Sequence, residues 1–535
     1  MKDIIREEIL KALNLCHINE TVNIMVEIPK DKNNGDYSSN IALQLSKVLN
    51  MKPFDIAVAL KSHISSNDYI DKIEIAGPGF LNFYMKNDYL FDNLNKVLEE
   101  VDNYGSSNEG NGIKINVEYV SANPTGFLHI GHARGASYGD SLTRILKFAG
   151  YDVTREYYIN DAGNQINNLE KSIIVRYHNL CGINEELPEN GYHGKDIIEV
   201  AKAIYDEYGS NAEDDIFRKK GIEYLLNKIK SDLEMFRVTF DVWSSETDLY
   251  TSNQVSDTLN KLIDSGNTYN SDGALYLKTE KYGDEKDRVL VKSDGNNTYL
   301  LPDIAYHVNK YKRGFDYLID VLGADHHGYI NRLKAAIEIM GEDPNKLDVK
   351  ILQMVRLIKD GEEIKMSKRT GKSLTLNDLV DEVGVSATRY FFAMRSLDTQ
   401  LDFDLELATK KSNENPVYYV GYAHARIKSI LREYNKEACV IDKYETLNSD
   451  YAINLLNKIY EFTDVVKLSA KRREPHLITN YVYDLAQCFH TFYAHEHVLS
   501  DDDKKTRERI NLISAVAITI KNACKLIGVN APDKM

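Results

Sequence analysis

A chain of 535 residues that is 43% hydrophobic and 27% charged has an ordinary water-soluble composition and length for three or four domains. Its five cysteines are scattered, with no CxxC pair, which argues against a disulfide framework or structural zinc and for a reducing compartment. No run approaches the roughly 18 apolar residues of a membrane span, and the partly acidic N-terminus is unlike a targeting peptide, so a cytoplasmic protein without a membrane partner is expected. The net charge of −15 disfavours indiscriminate nucleic-acid binding, DNA included, and leaves local basic patches to decide.

Residues 1–101 read as a separate small domain. It has an opening helix, a second helix from Ile41 to Leu49 after Asn34-Gly35-Asp36-Tyr37, and a strand region from Ile73 to Tyr84. The Gly-, Ser- and Asn-rich stretch Asp102–Gly112 reads as a linker. Apolar residues then alternate from Ile113 to Tyr119, the period of a strand. Leu142, Ile145, Leu146 and Ala149 recur at helical spacing, and Gly150 stands where that helix should stop. A second strand, Val153–Ile159, completes a β-α-β unit.

At the strand-to-helix turn of that unit stands His129-Ile130-Gly131-His132. A helix N-terminus presents free N–H groups and partial positive charge, which suits phosphate, and imidazoles can donate to a transferring phosphoryl group. There is no GxGxxG and no Walker loop. The bland alternative is two ordinary histidines at a helix start.

The stretch from about 165 to 295 reads as an insertion, helical to about 265 and then carrying short strands at Ala274–Lys278 and Arg288–Lys292. The core resumes with a helix near Asp303–Tyr311, a strand Tyr317–Leu322 ending in Gly323-Ala324-Asp325-His326-His327-Gly328, and a further strand Lys350–Leu357. A loop with Lys365-Met366-Ser367-Lys368-Arg369 follows, flanked by Gly361 and Gly371, which suits a lid over a polyphosphate. From about 376 to the end the pattern is helical throughout. Two basic clusters, 349–372 and Lys467/Lys471/Arg472/Arg473, are either RNA contacts or solvated surfaces. Tyr418, Tyr422 and Arg426 share one helix face and could stack on unpaired bases, although tyrosines at this spacing are more often core.

The two motifs, in this order and about 235 residues apart, resemble the HIGH and KMSKS signatures of class I aminoacyl-tRNA synthetases. Arg369 replaces the final Ser and leaves both lysines intact. The stretch Val117–His132, with Glu118 five residues before Asn123, and Tyr299-x-x-x-Asp303 resemble the arginyl-tRNA synthetase family in particular. Gly35-Asp36-Tyr37, Asn415–Arg426 and the C-terminal ending extend the likeness over nearly the whole chain.

The resemblance implies an α/β fold. A Rossmann-like parallel-sheet catalytic domain (113–375) would be flanked by an α+β N-terminal domain (1–101) that touches tRNA and an all-α anticodon-binding bundle (376–535). It implies ATP-dependent esterification of L-arginine to its tRNA, with Mg2+ carried on ATP. It implies His129, His132, Lys365 and Lys368 as catalytic groups, and Gly131, Gly323, Asp325 and Ser367 beside ATP together with the histidines. Glu118, Asn123, Tyr299 and Asp303 would hold arginine. His326 is placed with them, although whether Asp325 or His326 faces arginine or the nucleotide stays open. Tyr418, Tyr422 and Arg426 would meet tRNA. The family also implies that activation of arginine needs bound tRNA. The chemistry agrees independently, because two carboxylates and a phenol make an acceptor site for a guanidinium's five N–H donors. For Glu118 a solvent-facing strand position is the plain alternative, and for Asp303 a helix N-cap. A class I synthetase for another amino acid, a HIGH-type nucleotidylyltransferase and a non-catalytic tRNA-binding paralogue are the alternatives of function. A monomer without a bound protein metal is expected.

Overall fold

The computed structural model describes residues 1–535 except 21, 65–68 and 365–373, and excludes the side chains of 32 and 325–327. The chain forms two compact units.

One unit is built from Met1–Glu99 together with Ala438–Tyr460 and Val498–Leu512. Its opening helix, Lys2–Leu15, buries Ile5, Ile9, Ala12 and Leu13 at helical spacing. The region expected as one strand from Ile73 is a hairpin of Ile70–Ala76 and Phe80–Met85, because Gly77-Pro78-Gly79 cannot continue a ladder. Tyr37–Ser39 adds antiparallel to Phe80–Met85. Gly35 sits at φ +86°, where a Cβ would lie 2.7 Å from the Phe83 carbonyl. That tight passage lets the Asp36 carboxylate accept from the Met85 N–H at 2.7 Å. Helix Asp88–Glu100 packs on the C-terminal segments of the same unit. The Asn95 amide donates to the Ile441 carbonyl and accepts from the Tyr444 hydroxyl, both at 2.8 Å.

The second unit is built on a five-stranded sheet. In spatial order it runs Leu347–Leu352, Tyr317–Gly323, Lys114–Glu118, Asp152–Ile159 and Val242–Ser245, every neighbouring pair parallel. Helices Ile130–Phe148 and Leu300–Lys312 connect or cover these strands, as parallel pairing requires. Ligands of such sheets gather where the carboxyl ends of strands meet at a switch of strand order. Here the first strand of the unit lies in the middle of the sheet, and Glu118 and Gly323 stand at its carboxyl edge.

Four local expectations change. Val242–Ser245, inside the span read as an insertion, is the fifth strand of the main sheet. It is short and half-buried, too weak a pattern to stand out. The strand expected over Lys350–Leu357 is two, Leu347–Leu352 in the main sheet and Val355–Lys359 in a separate one. That second sheet takes in Leu401–Asp404, a strand inside the region read as helical throughout. Leu401 and Phe403 alternate into the core there.

The fourth change is the supposed linker, which is stitched to the core. Ser107, Gly110 and Gly112 donate backbone hydrogen bonds to Phe148, Ala149 and Gly150. Tyr104 is buried against Phe462, and its carbonyl accepts from Asn522. Polar composition signalled a loop here, but paired backbone groups make it an ordered one.

The C-terminal helices of this unit include Pro416–Tyr434, begun by an Asn415 cap with Pro416 at the first position, and His476–His495. No helix among the described residues is long and apolar enough to cross a membrane.

Candidate active site

The carboxyl edge of the main sheet opens into a cavity of about 1090 Å3. Its walls include Glu118, Asn123, His129, Gly131, His132, Tyr299, Asp303 and Gly323, eight residues singled out from the sequence. They come from three separate stretches of chain.

The histidines lie where the β-α-β reading put them. His129 caps helix Ile130–Phe148; its Nδ1 accepts from the Gly131 N–H at 3.1 Å, and the Nδ1 of His132 accepts from the His129 N–H at 3.3 Å. The two rings stack with centroids 3.7 Å apart. Because both Nδ1 atoms accept, each neutral ring carries its hydrogen on Nε2, a fixed donor tautomer.

Lys365, Ser367 and Lys368 lie outside the described residues, but the chain on both sides of that segment is placed. Ile364 donates to the Leu357 carbonyl at 2.9 Å, and Leu376 donates to the Leu128 carbonyl at 2.8 Å, next to His129. Thr375 caps helix Leu376–Val383 through a reciprocal box with Asp378. The side chains of Asp325 and His326 are also outside the described set; their backbone forms a short 3-10 turn after Gly323.

Glu118 does not face solvent, which settles its plain alternative. It is 7% exposed, receives the Lys310 ammonium at 2.5 Å, and accepts from the Ser121 hydroxyl at 2.9 Å. Ser121 and Val120 take positive φ of 38° and 69°, an unusual bend that swings Ser121 back over the strand end. Asp303 is not an N-cap. Tyr299 occupies that position, and Asp303 lies in the first turn, where its carboxylate accepts from the Tyr329 hydroxyl at 2.5 Å. Tyr299 is 58% exposed at the rim, and Asn123 donates to Gln165 at 2.6 Å.

Several wall residues were not anticipated. Glu246 is 5% exposed and lines the same cavity. Burial, reinforced by the charges of Asp303 and Asp161, pushes its carboxyl up to about 7. Its neighbour Ser245 caps the short helix that follows, and Ser-Ser-Glu at a strand end was the available signal. Tyr329, on the same wall, and Lys310, which does not line the cavity but pairs with Glu118, were also missed. Lys310 is fully buried on the apolar face of its helix, between Val308 and Tyr311, and a lysine in such a stripe signals a buried partner.

The residues expected at tRNA form a separate, partly buried cluster. The Tyr418 and Tyr422 rings are nearly parallel at 6.2 Å. The Arg426 guanidinium lies over Tyr422 and over Tyr493, at 5.2 and 4.6 Å. Asn413, Tyr419, Tyr422, Arg426, His490 and Tyr493 line a hollow of about 490 Å3 there. The basic clusters are less available than their sequence suggested. Arg473 pairs with Asp348, Arg356 with Asp402 at 2.7 Å and Lys359 with Glu382 at 2.8 Å.

A parallel sheet of this order, with stacked histidines at a helix start facing carboxylates across one cavity, defines a class I aminoacyl-tRNA synthetase core. The family described as tRNA synthetases class I (R), catalytic domain, matches residues 93–396. The arginyl tRNA synthetase N terminal domain matches 1–85, and the DALR anticodon binding domain matches 420–535. The chain belongs to the arginyl-tRNA synthetase family. It is 51% identical to the arginine–tRNA ligase of Bacillus subtilis (strain 168), over all of this chain and 99% of that one. It is equally 51% identical to that of Geobacillus kaustophilus (strain HTA426), over all of this chain and 98% of the other. The solved arginyl-tRNA synthetase of Thermus thermophilus has the same fold, with a TM-score of 0.79 at 20% identity over the full length of both chains.

Proposed function

We propose that the chain activates L-arginine with ATP and esterifies it to its tRNA, releasing AMP and pyrophosphate. The observation that carries this reading is a single cavity with an acidic wall and a phosphate-suited wall. Asp303, Glu246 and Glu118 make the acidic side, and His129, His132 and the N-terminus of helix Ile130–Phe148 make the other. A guanidinium suits the first and a polyphosphate the second. Mg2+ enters on the phosphates as part of the ATP substrate.

In this reading Asp303, Glu246 and Tyr299 accept from the guanidinium. Asn123 and Glu118 serve the α-amino and carboxyl end, which sits toward the histidines for in-line attack on the α-phosphate. The histidine Nε2–H donors stabilise charge that grows on the phosphoryl oxygens, and Lys365 and Lys368 take the departing pyrophosphate. The described residues on either side, Ile364 at Leu357 and Leu376 at Leu128 beside His129, support that assignment of the lysines. Tyr418, Tyr422 and Arg426 offer stacking faces to unpaired tRNA bases.

Activation that waits for tRNA is tested by ATP–pyrophosphate exchange with arginine, run with and without tRNA. The expected outcome is exchange only with tRNA; full-rate exchange without it excludes the tRNA requirement. Arginine as substrate is excluded only if another amino acid is charged more efficiently.

A further inference from the structure

Beneath the acidic wall the sheet carries three carboxylates side by side. Glu156, Glu118 and Asp320 occupy paired positions on three adjacent parallel strands, so their side chains leave the same face of the sheet. All three are buried. Like charges at that spacing repel strongly in a dry interior and need cations within contact. Helix Leu300–Lys312 and the Arg313 cap that follows it deliver them. Arg313 holds Glu156 at 2.7 Å, and Lys310 holds both Glu118 and Asp320, at 2.5 and 2.9 Å. That leaves three acids against two permanent cations.

The third partner is His307, 6% exposed on the same helix. Its Nδ1 lies 2.7 Å from the backbone carbonyl of Asp303, and its Nε2 lies 2.7 Å from Asp320 Oδ2. A carbonyl only accepts, so Nδ1 carries a hydrogen. Asp320 already accepts the Lys310 ammonium on its other oxygen, so it is ionised and Nε2 carries a hydrogen as well. Both ring nitrogens are donors, which is the imidazolium. The groups facing this ring are Asp320 and Glu118 from the sheet, and Lys310 and the Tyr306 ring from its own helix. Burial works against the charge, but Asp320 outweighs it and holds the imidazole above its usual range.

We propose that His307, as a buried imidazolium, and Lys310 are positioning residues of one buried ionic frame, which holds the Asp303 turn by its backbone carbonyl and Glu118 by its carboxylate. The frame runs from the Asp303 turn through His307, Asp320 and Lys310 to Glu118, and ends on Ser121. It fixes the backbone from which the Asp303 side chain projects, while the Tyr329 hydroxyl holds that carboxylate, and it leaves Glu118 already charge-balanced. The net negative charge offered to a guanidinium therefore comes from Asp303 and Glu246, while Glu118 serves as a fixed hydrogen-bond acceptor. This proposal rests on the arginine reading of the cavity.

The test uses the full-length chain labelled with 15N-histidine. At pH 8 one histidine is expected to show both ring nitrogens protonated, and its signal is expected to vanish in His307→Gln. If that variant does not fold, Asp320→Asn is expected to convert the same signal alone to a neutral tautomer. A full set of neutral histidines at pH 8 overturns the proposal. In steady-state charging, His307→Gln and Lys310→Met should each raise the arginine KM by roughly tenfold, the scale of one charged hydrogen bond, with kcat changed less than about threefold. An unchanged KM in both variants also overturns it. A chain that charges no arginine defeats the reading of function instead, and the protonation signature then still decides whether the frame exists.

Discussion

Asp303 and Glu246 share one wall of the cavity, and burial, with the charge of Asp303 added to it, raises the Glu246 carboxyl. A bound guanidinium favours the ionised form of both. Arginine uptake near pH 7 should therefore release a proton, and arginine KM should rise as pH falls from about 8 to 6 through the Glu246 value of about 7. Glu246→Gln should flatten that acid limb in a KM-against-pH series; an unaltered limb places the titrating group elsewhere. Asp303→Asn should raise arginine KM by roughly tenfold to a hundredfold, because a charged hydrogen bond is lost in a buried site. Discrimination against neutral citrulline should fall with it. His129→Ala and His132→Ala should act on turnover instead, by about a hundredfold or more, since their donors meet charge that develops during the reaction. A large KM change with intact kcat would contradict that division. The histidine turn, Glu118 and Asp303 were legible in the sequence because each sits in a motif of fixed local spacing that resembles the family's, whereas Glu246 stands in no such motif. The Lys310 pairing was not, because its partner Glu118 lies 192 residues away and only the fold brings them together.

At the level of elements, the expected stop at Gly150 holds, and Gly528 ends the last helix, Asp503–Leu526, for the same reason: both take positive φ, 89° and 67°. Gly528 has a second role. A Cβ there would fall 2.2 Å from the Arg389 guanidinium, which is fully buried, bonds Asp140 at 2.5 Å and donates to the Ile527 carbonyl. Arg389→Ala should lower stability by about 3–5 kcal/mol, because it strands the Asp140 charge in the interior. Denaturant unfolding measures this, and a loss under about 1 kcal/mol would show that Arg144, the second partner of Asp140, suffices. Strong periodicity announced the long helices and the buried strands. Short strands such as Val242–Ser245 and Leu401–Asp404 were hidden, because four residues carry too little pattern against their flanks.

Across the whole chain, segments remote in sequence complete one another's packing. Residues 1–99 share a compact unit with Ala438–Tyr460 and Val498–Leu512, through Asn95, Tyr89 and the stacked pair Phe91–Tyr444. Composition could not show this, since it marks boundaries along the chain and not returns to them. Deleting residues 1–99 should expose the apolar faces of those C-terminal segments and lower the melting temperature of what remains. An unchanged Tm would show that they fold without it. The central claim, that the acidic wall selects arginine for transfer to tRNA, is tested most directly by aminoacylation of unfractionated tRNA with each of the standard labelled amino acids at equal concentration. The structure predicts acid-precipitable label from arginine, lost in Asp303→Asn at low arginine concentration. Greater incorporation of any other amino acid by the wild-type chain would contradict it.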